Sequence, residues 1–331
     1  MDCLAPAPPG FRIPLHFMQL ASLPTYILAL ISLVLIKSKL FTTYRIFLIW
    51  HVVENFFFEI YSAFLVEPVL HAPYPLIRTS GILSRMGVGS LYQAFMMAFA
   101  IEYNGASISE MFWFRYKASI LNYNTHKFTY LLQFFVYATR LIAIFETLFP
   151  FCVVGDALDF QQEFKASLYK LNPTDTFLLC DSTYVIAAFR DYVSSVILAS
   201  WILQAMFFLF SIPGTAIFIS FNLPKTMSDV TLKLQKQLLK SLIIQASIHG
   251  AMLGIPNIMF ISAILFGYEN ESVAYVAVGC LTYHGFASSL ALIVFTAPLR
   301  NFMVTWCKSK KKTAENKTSE NKINDKRTSA L

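Results

Sequence analysis

The sequence predicts an all-α fold, a seven-transmembrane helix bundle with its N-terminus outside and its C-terminus in the cytoplasm. Three observations carry that reading. Seven apolar stretches, near 16–36, 46–66, 88–114, 128–152, 192–221, 238–266 and 273–297, are each long enough to cross a bilayer, whose core takes roughly 20 residues of helix. The composition, 56% hydrophobic and 14% charged with a mean hydropathy of +0.56, is too apolar for an ordinary soluble domain. The basic residues fall mainly in alternate gaps between the stretches.

Those gaps set the orientation, because Lys and Arg are retained on the cytoplasmic side. With the first gap taken as inner, the inner gaps and the tail hold nineteen of the 26 Lys and Arg residues. They are Lys37, Lys39 and Arg45; Arg115, Lys117 and Lys127; Lys225, Lys233, Lys236 and Lys240; Arg300 and the eight of the tail from Lys308. The outer gaps hold Arg12, Arg78, Arg85, Lys165, Lys170 and Arg190, and Arg140 lies inside a stretch. The chain therefore divides into a short extracellular head (1–15), a seven-helix domain (16–303) and a disordered basic cytoplasmic tail (304–331). The net charge of +7 becomes attraction to membrane lipid, about 1 kcal/mol per basic residue near an anionic surface, and not a nucleic-acid footprint. The opening MDCLAPAPPGFRIPL has no basic region followed by a short apolar core, so the first stretch reads as an inserted helix and not a cleaved leader.

The longest outer gap, about 153–190, is acidic with Tyr and Phe interleaved. In the sixth gap, also outside, Asn270-Glu271-Ser272 is a glycosylation acceptor. Cys3 and Cys180 both fall on the oxidising side and are a candidate disulfide, with Cys152 as a competitor. Cys280 reads as a packing residue, and Cys307, beside basic residues just past the last stretch, as a palmitoylation candidate. No His/Cys group has metal-ligand spacing, so no metal or cofactor is expected.

Polar residues inside the stretches are the candidates for function, because an intramembrane charge costs at least about 2.5 kcal/mol and must face the bundle interior or water. Stretch two carries His51, Glu54, Asn55, Glu59 and Ser62 on one face, with Phe56 and Phe57 opposite. Stretch three carries Glu102, with Ala98, Gly105 and Ala106 on the same face to admit a close neighbour. Counted from the cytoplasmic ends, Glu54, Glu102 and Arg140 share a depth near the midplane. Arg140 between one or both carboxylates is the expected pairing, either a lock between helices or a switch. Glu59 and Glu146 lie higher, protonated or facing water in an outer cavity. His249 and His284 again lie near the midplane, as a proton-sensitive pair or as packing residues. Pro213, Pro256 and Pro298 permit kinks in the last three stretches.

Several segments resemble nematode chemosensory serpentine receptors, in the class H and class I groups of the Str superfamily. They are EPVLHAPYPLIRTSGIL (67–83), similar to a Pro-rich outer loop of that family; SISEMFWFRYKASI (107–120), similar to its aromatic-then-basic junction; and YHGFASSLALIVFTAPLRNFM (283–303), similar to its ending. The likeness spans residues 14–303. It implies a G-protein-coupled receptor in the plasma membrane, with the sensory cilium as a specialised site. Its partners would be a small extracellular molecule such as an odorant and a heterotrimeric G protein. Motifs of rhodopsin-like receptors are missing: Phe114-Arg115-Tyr116 stands where an acidic residue would precede the Arg, and Thr296-Ala297-Pro298-Leu299-Arg300 ends the last stretch. No Lys lies in stretch seven, which argues against a retinal Schiff base.

The function expected is thus a chemosensory receptor and not an enzyme. Glu54, Glu59, Glu102, Arg140, His249 and His284 are the pocket or switch candidates, and Arg115, Lys117, Lys225, Lys233 and Lys236 the G-protein contacts. A transporter or channel using the buried carboxylates is the first alternative, although no internal repeat or paired broken helices support it. A non-signalling pseudoreceptor is the second.

Overall fold

In a computed structural model, the structure describes residues 3, 7–36, 42–71, 76–119, 127–152, 154–185, 192–222, 229–256, 258–259, 262 and 271–305. Seven long helices run through them. They are α1 (Pro9–Leu35), α2 (Thr42–Ile60), α4 (Ser90–Ser119), α5 (Lys127–Cys152), α7 (Tyr192–Asn222), α8 (Asp229–His249) and α9 (Glu271–Phe295). A single turn, α3 (Ile82–Arg85), precedes α4, and α6 (Val154–Leu171) lies in the long outer gap. Among the described residues, Pro9–Leu35, Tyr44–Val66 and Ser272–Phe295 are long and apolar enough to cross a membrane on composition alone. The central α4 is less apolar because the face it turns inward is polar.

α4 packs against α2, α5, α7 and α8, and α9 closes the bundle against α1, α2 and α8. The core between them is built from residues such as Leu33, Leu48, Val52, Met111, Phe112, Tyr116, Leu238, Leu242 and Leu292. Two glycines set close approaches. A Cβ at Gly105 would lie 2.8 Å from Phe208 of α7, and one at Gly285 would lie 2.7 Å from Asn55 and 2.8 Å from the Tyr26 hydroxyl. Larger side chains there would force α4 from α7 and α9 from α2.

Two helices end in wide π-helical turns. α2 continues as Tyr61–Val66 and stops at Glu67, whose φ of 44° is left-handed. The buried Glu67 carboxylate accepts hydrogen bonds from His16 (2.8 Å), Ser80 (3.3 Å) and Arg12 (3.4 Å), which hold that unfavourable backbone in place. α8 continues as Gly250–Gly254, just ahead of Pro256, whose missing amide cannot continue the regular ladder. At the far end of α9 the helix breaks at Thr296 and restarts over 297–305.

The end of the bundle that carries the chain between α2 and α4 and between α5 and α7 is more structured than its sequence suggests. Strands β1 (Pro68–His71), β2 (Leu76–Thr79) and β3 (Thr183–Val185) form an antiparallel sheet in the order β1-β2-β3, pairing Pro68 with Thr79 and Ile77 with Tyr184. α6 is amphipathic and packs Phe164 and Leu168 on Leu76, Leu178 and Val185. The Gln161 side chain donates to the Val185 carbonyl (2.7 Å) and accepts from its amide (2.9 Å). A disulfide joins Cys3 to Cys180, tying the head to this cap.

Candidate functional site

The interior of the bundle holds a chain of polar side chains. On α2, residues four apart present His51, Asn55 and Glu59 to the core, and all three are buried. α4 adds Asn104 and Ser107, α8 adds Gln245 and His249, and α9 adds Thr282 and His284, also buried. His51 Nε2 accepts from the Asn55 amide (3.1 Å), so its proton sits on Nδ1, which donates to Ser107 Oγ (2.7 Å). Ser107 passes its own proton to the Asn104 carbonyl (3.0 Å). The Asn104 amide donates to Asn55 Oδ1 (2.5 Å) and to His284 Nε2 (3.3 Å). His284 Nδ1 therefore carries the proton and donates to the Leu281 carbonyl (2.6 Å). Partners thus fix both rings as neutral tautomers.

His249 lies between the two. Its ring centroid is 5.1 Å from that of His51 and 4.9 Å from that of His284. Its Nδ1 donates to the Gln245 carbonyl (3.0 Å), which leaves Nε2 as an acceptor without a donor among the described residues. Asn104 Oδ1 and Gln245 Oε1 are buried acceptors in the same condition. A buried polar atom without a partner costs about 1–3 kcal/mol, so these acceptors destabilise the network as it stands.

The sequence-selected carboxylates fall in different places. Glu59 accepts hydrogen bonds from Ser22 and from the Tyr26 hydroxyl (2.7 Å). It joins α1 to α2 in a fully buried position, not in an outer cavity. Glu102 is buried on α4. Glu54 is half-buried on α2 and within electrostatic reach of Arg140 and Glu110. The expected direct pairing of Arg140 with Glu54 or Glu102 is not what forms. Arg140 makes a two-pronged bond to Glu110 (2.6 and 2.7 Å) and lies over the Tyr103 ring at 4.1 Å. Glu110 already lay within stretch three, but counted from the true end of α4 at Ser119 it sits deeper than the stretch implied, and the long Arg side chain reaches it. Phe57 faces outward as expected, but Phe56 packs on Tyr26. The side chain of Glu146 lies outside what the structure describes.

Arg115 also requires a correction. It was expected on the inner surface, yet it is only 2% exposed. Its guanidinium lies 3.4 Å from the centroid of the Tyr44 ring on α2 and donates to Gln235 of α8 (3.1 Å). Its Nε and Nη2 have no hydrogen-bond acceptor among the described residues. The cause is helical phase: Ile108, Met111, Phe112 and Arg115 share the buried face of α4. Lys117 lies over the Trp113 ring (4.9 Å), and Lys233 and Lys236 are exposed on α8. Lys225, Asn270 and Cys307 lie outside the described residues.

Asn104, Ser107 and Gln245 escaped the sequence reading because they are uncharged. Their signal was present in polar amides within apolar stretches. A family model described as serpentine type 7TM GPCR chemoreceptor Srh matches residues 6–309. No curated protein gives a significant match.

Proposed function

Since the chain belongs to the serpentine 7TM GPCR chemoreceptor family Srh, we propose that it is a receptor that binds a small extracellular molecule within its bundle and activates a heterotrimeric G protein. The N-terminus lies outside and the basic tail in the cytoplasm, as the distribution of Lys and Arg favours. The plasma membrane, and in a sensory neuron its cilium, is the place of action. The observation that carries the reading is the Asn104-centred network, which joins α2, α4 and α9 and leaves acceptors on Asn104, Gln245 and His249. A ligand that donates hydrogen bonds to those acceptors binds best where the helices around it are arranged to receive it. It acts only through its difference in affinity between two arrangements of those helices.

The inner end supplies the output. Arg115 bridges α4, α2 and α8 through Tyr44 and Gln235, and an outward movement of α8 breaks the Gln235 bond. The guanidinium then meets the G protein, with Lys117, Lys225, Lys233 and Lys236 as further contacts. The test is G-protein activation in cells with pooled volatile and water-soluble small molecules, with surface delivery measured in parallel. A saturable response is expected, lost in Asn104→Ala and weakened in Arg115→Ala. Ligand-dependent ion flux without G-protein activation would instead support the channel or transporter alternative.

A further inference from the structure

A cleft of about 180 Å³ at the inner end of α8 and α9 takes no part in the receptor reading. Gln237 and Lys240 of α8, Phe295 at the end of α9, and Ala297 and Arg300 beyond it line the cleft. The break at Thr296 creates it. Thr296 is pinned to Ser241 of α8 by a hydroxyl–hydroxyl bond (2.8 Å), and the chain restarts as helix with the Arg300 amide donating to the Thr296 carbonyl (3.0 Å). Arg300 is thereby carried to the same cleft as Lys240, and one of its Nη atoms donates to the Val294 carbonyl (3.2 Å).

Two cations face this cleft and none of its lining residues is acidic. Among the described residues no carboxylate forms a salt bridge with either. Both are exposed, so neither is desolvated before a ligand arrives. From the cleft an apolar strip runs along the bundle exterior, with Leu290, Val294 and Phe295 on α9 and Ile243 on α8, each 40–45% exposed. Charge at one end and an apolar track leading away from it match a molecule built the same way.

We propose that this cleft binds the phosphorylated headgroup of an anionic inner-leaflet lipid, with the acyl chain along the α9 strip. Arg300 offers planar paired donors to phosphate oxygens, Lys240 a compact positive charge, and Gln237 a neutral donor. A phosphomonoester, with a charge of about −1.5 to −2, balances the two cations better than the single charge of a diester does. A phosphorylated inositol lipid is therefore the class favoured. The site needs only this end of the bundle to lie at a membrane surface, and it stands independently of ligand and G protein.

Full-length receptor in nanodiscs of phosphatidylcholine containing a phosphatidylinositol phosphate provides the test, with native mass spectrometry measuring the lipid retained. Lys240→Gln and Arg300→Gln are each expected to reduce retention about fivefold, and the double variant further. Lys170→Gln, exposed on α6 at the other end of the bundle, is expected to leave it unchanged. An unchanged thermal midpoint in the variants shows that they are folded. Retention that survives the double variant, or that falls only when the tail lysines are neutralised, overturns the proposal. Displacement by soluble inositol phosphate as effective as by the lipid would make this a free-phosphate site and overturn the lipid assignment.

Discussion

The middle of the α4–α5 interface half-buries one arginine and the end of α4 near Ser119 buries another, and the two are satisfied in opposite ways. Arg140 meets a carboxylate with both prongs of its guanidinium and an aromatic face beneath, so its charge is balanced where it lies. Arg115 is more deeply buried and among the described residues meets no carboxylate, only Tyr44 and the neutral amide oxygen of Gln235. The first arrangement resists change, because separating the pair strands two charges in a medium that solvates neither. The second gives little up when α8 moves, and the freed cation gains partners outside. On this physical ground Arg140 serves as a strut and Arg115 as a latch.

The largest effect should come from the strut. Arg140→Gln or Glu110→Gln is expected to lower stability by about 2 kcal/mol, since each leaves a half-buried charge without its partner. The double variant should recover part of that loss in a thermal-unfolding series. Arg115→Gln is expected to cost only about 1 kcal/mol, within the range of a cation–π contact. Equal losses at the two sites would erase the distinction between them. A smaller but more specific effect is expected at Gln235→Ala, which releases the latch while keeping Arg115. Ligand-independent G-protein activation should rise severalfold with little change in unfolding. An unchanged basal signal at matched surface expression would remove the latch from the mechanism.

The fold was legible in the sequence because a bilayer constrains helix length and loop charge so tightly. Two of the long helices, Lys127–Cys152 and Tyr192–Asn222, lie within a residue of the apolar runs that suggested them, whereas α1 starts at Pro9, ahead of its run, and α8 starts at Asp229, ahead of its own. Partners were less legible. Depth was counted from 114 as the end of stretch three, whereas apolar length alone does not mark where a helix stops beyond the membrane. Continuation to Ser119 re-paired Arg140 with Glu110. For Arg115 the evidence was already there in the spacing of Ile108, Met111 and Phe112, but its charge near a helix end suggested the surface. α6 likewise carried its signal, Phe160, Phe164 and Leu168 every four residues, within a gap dominated by acidic side chains. The Asn104 network needed three dimensions, because hydrogen bonds between α2, α4 and α9 have no sequence period.

A third buried cation sharpens the comparison, with the smallest effect. Lys165 on α6 donates to the Cys180 carbonyl (2.9 Å) beside the disulfide. Burial pushes its ammonium down from 10.5 to about 8, with Asp181 opposing the shift. Because the folded pKa is the lower one, the unfolded chain binds more protons between about 8 and 10.5, and stability rises with pH across that window. Below it the charged, buried amine weakens the outer cap; above it the penalty is gone. Lys165→Met removes the titrating group, so wild type should gain thermal stability relative to the variant as pH is raised from about 8 to about 10. Parallel curves would mean that the carbonyl of Cys180 satisfies this lysine as fully as Glu110 satisfies Arg140. A carboxylate would then be no better a partner for a desolvated cation than a backbone oxygen.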